Sequence, residues 1–317
     1  MILINQNTFG PLRPAFGLVL ATLLALTGCG GGGEDGPGAS EGPPRLRVVA
    51  TTTMIEDLAR QIAGDDAEVV GVMKVGEDPH VYDVRPNDAV TISEADLILT
   101  NGLHLEATLE GVIAQAARGV VVALAQAPGI PTLGSDDYEG APDPHCWMDA
   151  AYFKAYAATA RDALADADPD HAEAYRARAD AYIQELDELD AWIKAQWAAI
   201  PPDQRVVVTS HDAFNYYARA YEVAVHGVVG ISTDAQPKAA DIEALRQMIK
   251  DRGVRALFVE TSVAPTLNQI VENVASATGA TIGGSLYSDS LGAPDSPGGT
   301  YLGMMRHNTQ TMVEALR

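Results

Sequence analysis

Cysteine is scarce in this chain: its 317 residues hold two, Cys29 and Cys146. Cys29 closes an N-terminal apolar run, so Cys146 has no partner inside the fold and stability must come from core burial. Basic side chains are scarce too, with 21 Lys and Arg against 43 Asp and Glu and a formal charge of −22. So acidic a surface disfavours nucleic acid or anionic lipid as partners and modestly favours cations. No apolar run reaches the roughly 20 residues that a membrane-spanning helix needs. A His-Glu-x-x-His motif and a paired-carboxylate arrangement, two marks of hydrolytic enzymes, are also missing.

What the N-terminus does have is a secretory pattern. Arg13 is the only charged side chain before Cys29, and Ala15–Leu26 is apolar, long enough for a signal h-region. The run ends in Leu26-Thr27-Gly28-Cys29, which resembles a bacterial lipobox. Residues 1–28 are therefore expected to be a lipoprotein signal peptide, with Cys29 the lipidated first residue of the mature chain. Residues 29–45, rich in Gly, Pro and acids, have little to bury and read as a flexible tether. The expected location is outside the cytoplasm, on the periplasmic or cell-surface side of a bacterial membrane.

From Leu46 onward, short β-branched runs alternate with helical patterns, the mark of parallel sheets built from crossover units. Arg47–Thr51, Glu68–Val72, Leu97–Thr100 and Val120–Ala123 read as strands. Helices are expected from Thr53, which can cap the first, to Ala63, from Pro86 to Ala95 and over Glu106–Ala117. A Pro-, Gly- and Asp-rich segment, Pro128–Pro144, interrupts the alternation before a helix over Ala150–Ala165. Next comes an unusually long helix, with Asp168 as N-cap, Pro169 as first residue and Pro201-Pro202 as its stop. Tyr175, Ala179, Tyr182, Leu186, Leu189, Ile193 and Trp197 recur at spacings of three and four, giving it one apolar face. At 1.5 Å per residue it would reach about 45 Å. Strands at Arg205–Thr209, Val223–Val229, Ala256–Val259 and Thr281–Leu286 then alternate with helices to Leu316. The expected architecture is α/β: an N-terminal lobe (46–165), a rigid linking helix (166–200) and a C-terminal lobe (201–317). Each lobe carries a parallel sheet flanked by helices. Open parallel sheets bind ligands at the carboxyl ends of their strands, which directs attention to a cleft between the lobes.

Four potential metal ligands fall at nearly even intervals on that side: His80, His145, His211 and Asp289. Three imidazoles and a carboxylate are a usual set for a divalent first-row metal. Proline stiffens the approach to two of them in the repeated tripeptide Asp78-Pro79-His80 and Asp143-Pro144-His145. Taken singly, a loop histidine is more often exposed or a cap, and Asp289 would cap a turn. Spacing alone leaves their convergence open. Glu260 ends a strand and is placed either to accept a histidine N–H or to cap a helix. Glu77, Asp78, Asp136, Asp137 and Asp143 read as solvated loop charge around an entrance, and Cys146 as a small buried apolar group.

The ordered motifs closely resemble the zinc/manganese family of metal-binding lipoproteins, the solute receptors of ABC-type importers. The matching pieces are Gly76–Tyr82, Ala95–Ile98 with Asn101–Leu103, Asp143–Asp149, Ser210–Phe214, Phe258–Glu260 and Asp289–Leu291. The resemblance implies a two-lobed fold with a backbone helix, and one Zn2+ or Mn2+ bound as cargo by His80, His145, His211 and Asp289. It also implies an ABC permease with its ATPase as partner, a monomeric receptor and no enzyme activity. Some members replace the third histidine by glutamate, which suits manganese; His211 keeps nitrogen there and favours zinc. Zinc receptors of the family often carry a His-rich loop, whereas Gly129–Pro142 contains none. His104, His171, His226 and His307 match no ligand position. Two other readings stand beside the receptor: a secreted metal-dependent hydrolase, whose zinc would keep an open position for water, and a surface adhesin of the same fold.

Overall fold

The computed structural model describes residues 45–134 and 141–317. The leader, Cys29, nearly all of the tether, Asp136 and Asp137 lie outside the described residues. In the N-terminal half, β1 (Leu46–Ala50), β2 (Ala67–Gly71), β3 (Leu97–Thr100) and β4 (Val120–Ala123) form one sheet in the order β2-β1-β3-β4. All its pairings are parallel, and helices α1 (Thr53–Ala63), α2 (Pro86–Ser93) and α3 (Ala107–Ala116) supply the crossovers. Central β3, Leu-Ile-Leu-Thr, is buried at all four positions, as a strand covered on both faces must be.

Helices α4 (Ala150–Ala167) and α5 (Ala172–Trp197) follow. The 26 residues of α5 span about 39 Å. Its whole expected apolar face, from Tyr175 to Trp197, is buried, and each large side chain so buried contributes about 1.5–3 kcal/mol. The helix begins later than its sequence suggests. Asp168 Oδ2 already accepts from His171 Nδ1 and Tyr175 Oη, both at 2.7 Å, so the carboxylate caps no backbone N–H. A single 3-10 turn, Pro169–His171, leads into α5 instead.

In the C-terminal half, β5 (Val206–His211) pairs in parallel with β6 (Ala224–Val229), and β7 (Ala256–Glu260) with β8 (Thr281–Leu286). β5 packs beside β7 without a backbone ladder, so the parallel layer consists of two strand pairs. Around them run α6 (Asn215–Tyr221), α7 (Ala239–Arg252), α8 (Pro265–Thr278) and α9 (Tyr301–Leu316). His211 and Glu260 are the last residues of the adjacent strands β5 and β7, which places both at the carboxyl edge.

One hydrophobic core runs through both halves, from Val48 and Leu97 through Phe153, Leu186 and Phe258 to Met305. At the junction the Phe153 and Tyr301 rings stack at 3.6 Å with an 11° tilt. Tyr301 Oη donates to Trp147 O at 2.6 Å, and Tyr301 N donates to Asp57 Oδ2 at 2.8 Å. Thr53, expected to cap α1, uses its hydroxyl differently: it accepts Leu291 N at 2.8 Å, joining the two halves. A continuous apolar junction of this kind resists opening. No described helix is long and apolar enough to cross a membrane.

Candidate metal centre

His80, His145, His211 and Asp289 each offer a ligand atom, and these atoms lie within 4.8 Å of one another. His80 occupies a 3-10 turn, Pro79–Val81, that starts where Asp78 Oδ1 accepts His80 N at 2.9 Å. His145 precedes a second such turn, Cys146–Met148, which leads into α4. His211 ends β5, and Asp289 stands in the loop after β8. The ring centroids are 5.2–5.8 Å apart. His80 is the most accessible of the four, with 5% of its side chain exposed; the other three side chains are fully buried.

The spacing suits an ion. His80 Nε2 and His145 Nε2 are 3.2 Å apart, as are His145 Nε2 and Asp289 Oδ1. His211 Nε2 lies 3.1 Å from Asp289 Oδ2. Around a tetrahedral metal with bonds of about 2.0–2.1 Å, neighbouring ligand atoms fall about 3.3–3.4 Å apart. His80 Nε2 to Asp289 Oδ1 is wider, 3.9 Å. Moreover, His211 Nε2 and both Asp289 oxygens are buried without a hydrogen-bond partner. Such orphaned groups cost about 1–3 kcal/mol each, more when charged, and a shared cation would satisfy all three.

Two carboxylates behind the rings set their direction. Asp143 Oδ1 accepts both the backbone N–H and Nδ1–H of His145, at 3.0 and 2.8 Å, turning Nε2 toward the cluster. Glu260 stands behind His211: Oε1 accepts its backbone N–H at 2.9 Å, and Oε2 lies at ion-pair distance, 2.7 Å, from Nδ1. Asp143 is wholly buried rather than solvated at an entrance. The sequence offered one signal for this, its position two residues before a candidate ligand, where an Asp side chain reaches back to the following backbone.

Protonation follows this geometry. Burial pulls the His80 imidazole down to about 3, aided by His145 and His211 and resisted by Asp289. Burial also works against charge on His145, but Asp143 and Asp289 outweigh it and raise that ring to about 9. His211 is likewise raised well above the usual range by Glu260 and Asp289, against its desolvation. Asp289, despite burial, is held far below the ordinary carboxylate range by His211 and His145. The cluster is therefore a buried anion facing rings that carry protons where a metal would stand.

A further support was not legible from pattern. Gly102, Leu103 and His104 are all left-handed, at φ of 80°, 56° and 62°, a strain of about 1–2 kcal/mol for each non-glycine residue. Buried Glu106 holds this turn, accepting Asn101 N and Thr51 Oγ1 at 2.7 Å and Gly102 N at 3.1 Å. Asn101 then donates from Nδ2 to Pro144 O at 3.0 Å, fixing the residue before His145. Cys146 is buried, its thiol pushed up to about 12 by desolvation, and it donates toward Asp143 O at 3.9 Å, outside the cluster. His104 and His171 pair with Glu110 and Asp168, and His307 contacts Ser285 O. His226 lies on β6, and none of these four joins the cluster.

The family model for the zinc-uptake complex component A, periplasmic, matches residues 48–315. The chain is 37% identical over 308 residues to the manganese-binding lipoprotein MntA of Bacillus subtilis, covering 94% of this chain and 97% of that protein. It is also 37% identical over 281 residues to the zinc-binding protein TroA of Treponema pallidum, covering 88% and 90%. The solved structure of that periplasmic protein superposes with a TM-score of 0.81 at 35% identity, over 86% of this chain and 99% of the other. A Mn-bound periplasmic metal-binding protein from Candidatus Liberibacter asiaticus gives 0.78 at 28% identity, over 86% and 100%. The family comprises metal-binding transport components and not enzymes, which removes the hydrolase reading. With almost its whole described length matched and its fold shared, the chain belongs to the periplasmic zinc-uptake complex component A family.

Proposed function

We propose that this protein is the extracytoplasmic receptor of an ABC-type metal importer, capturing one divalent transition-metal ion and handing it to a membrane permease driven by a cytoplasmic ATPase. The observation that carries this reading is the set of buried, unpartnered atoms on His211 and Asp289, faced by His145 and His80 at ligand spacing. His80, His145, His211 and Asp289 act as the ligands. Asp143 and Glu260 hold two of the rings in the tautomer that presents Nε2.

Zinc is the favoured cargo. Three nitrogens with one carboxylate bind zinc at least as tightly as manganese, because affinity rises along the first-row series. Manganese competes where it is abundant, and both metals occur in the names of the relatives. The ion leaves through the His80 side, the accessible edge. The receptor works as a monomer tethered by a lipid on Cys29, and the continuous core keeps its two halves from swinging widely.

Equilibrium dialysis with zinc and manganese, separately and in competition, tests the reading. It expects one ion per chain, with zinc displacing manganese, and loss of metal uptake in cells lacking the protein. Absence of binding to either metal would refute it.

A further inference from the structure

The loop that carries Asp289 belongs to the C-terminal half, where Ser262 and Asn308 also hold it, yet several of its polar tethers reach the N-terminal half. Ser288 O accepts Trp147 Nε1 at 3.1 Å, Ser290 Oγ accepts Gly76 N at 2.8 Å, and Leu291 N donates to Thr53 Oγ1 at 2.8 Å. Within its own half, Asp289 N donates to Ser262 Oγ at 3.3 Å. The Ser290 contact is the one that bears on cargo. Gly76 lies four residues before His80, in a turn closed by Glu77, which donates its N–H to Lys74 O at 3.0 Å and accepts Lys74 N at 2.8 Å. Gly76 itself is left-handed, at φ +84°, a conformation that aims its N–H at the serine and that side chains disfavour.

We propose that the Ser290 hydroxyl is a positioning residue: it sets the gap between Asp289 and His80 and thereby governs how fast the metal leaves. The proposal rests on the receptor reading above. Its geometric basis is the asymmetry of the cluster. His80 to Asp289 is the wide pair, 3.9 Å against 3.1–3.2 Å for the other contacts of the carboxylate, and His80 is the least buried ligand. The His80 loop is therefore the part that closes on an ion and the part that opens first. Ser290 joins that loop directly to the residue next to Asp289. The serine is 1% exposed, it donates to Leu291 O at 3.1 Å, and Thr53 Oγ1 stands 3.5 Å away. Removing the hydroxyl cuts this direct tie, and the N–H of Gly76, an exposed residue, can then pair only with solvent, which does not hold the His80 loop to the Asp289 loop.

The test is metal release from the zinc-loaded full chain into excess chelator, followed by stopped flow. Ser290→Ala is expected to speed release about tenfold, the factor given by about 1.4 kcal/mol, with the association rate unchanged. Hydrogen exchange should show metal-induced protection of the amides of residues 74–80 in the wild type and its loss in the variant. Ser290→Thr keeps the hydroxyl and should return release to near the wild-type rate. If Ser290→Ala fails to fold, Thr53→Val, which removes the acceptor for Leu291 N, should speed release in the same sense. Val313→Ala in α9 destabilises the core away from the cluster and should leave release unchanged. Release by Ser290→Ala at the wild-type rate, or equal acceleration by Val313→Ala, overturns the proposal while leaving the receptor standing. A wild-type chain that takes up neither metal overturns both.

Discussion

Glu260→Gln isolates the carboxylate behind His211 from everything else in the cluster. Glu260 Oε1 is pinned by the His211 backbone N–H at 2.9 Å, so the glutamine must keep its oxygen there. Its amide NH2 then faces His211 Nδ1, at the position where Oε2 stands 2.7 Å away. Two donors cannot face each other, so in the zinc-bound variant Nδ1–H no longer has a carboxylate to hold it while Nε2 binds the ion. The ring also loses the neighbouring negative charge that made it a better metal donor. Losses of this kind run about 10–100-fold in metal affinity, or about 1.4–2.7 kcal/mol. Competition against a chelating dye at neutral pH measures it, and the unfolding midpoint of the metal-free variant serves as control for folding. Asp143→Asn is a milder exchange behind His145: the asparagine oxygen can stay at the Oδ1 position that accepts both His145 N–H groups, so the negative charge is what is lost and the affinity should fall less than for Glu260→Gln. Affinity within twofold of wild type for Glu260→Gln, in a folded protein, would refute the reasoning.

Two further outcomes follow from charge and packing. With His145 raised to about 9 and His211 also raised, the metal-free cluster holds protons at neutral pH. Binding must expel them, so apparent zinc affinity should rise with pH up to about 9, where His145 gives up its proton, and fall on acidification. Calorimetry in buffers of different ionisation enthalpy counts those protons, and a flat profile with no release contradicts it. The shared core and the Phe153–Tyr301 stack predict that metal-free and zinc-loaded proteins differ by small tilts; a scattering curve showing a large hinge closure would oppose that.

The fold was legible wherever a period repeated. The α5 face from Tyr175 to Trp197 is buried residue for residue as its three-four spacing required, and β3 reads as a covered strand from three consecutive apolar residues and a threonine. The cluster was visible as residue types at strand ends, helped by the family motifs around them. Groups whose roles depend on partners distant in sequence were harder to read. Asp143 looked like loop charge because its one local mark, standing two residues before His145, does not by itself show burial. Thr53 and Asp168 have the chemistry of caps, but Leu291 N, His171 and Tyr175 claim their oxygens first. The left-handed turn at Leu103 and His104 has no sequence mark beyond Gly102, since its support is Glu106 in the next helix turn.

The most direct measurement is X-ray absorption at the zinc edge of the loaded full chain. A site of three histidines and one aspartate gives nitrogen and oxygen scatterers alone, with the outer-shell pattern of three imidazoles, and loses one imidazole in His211→Ala. A sulfur scatterer from Cys146, or an unchanged histidine signal in that variant, would contradict it.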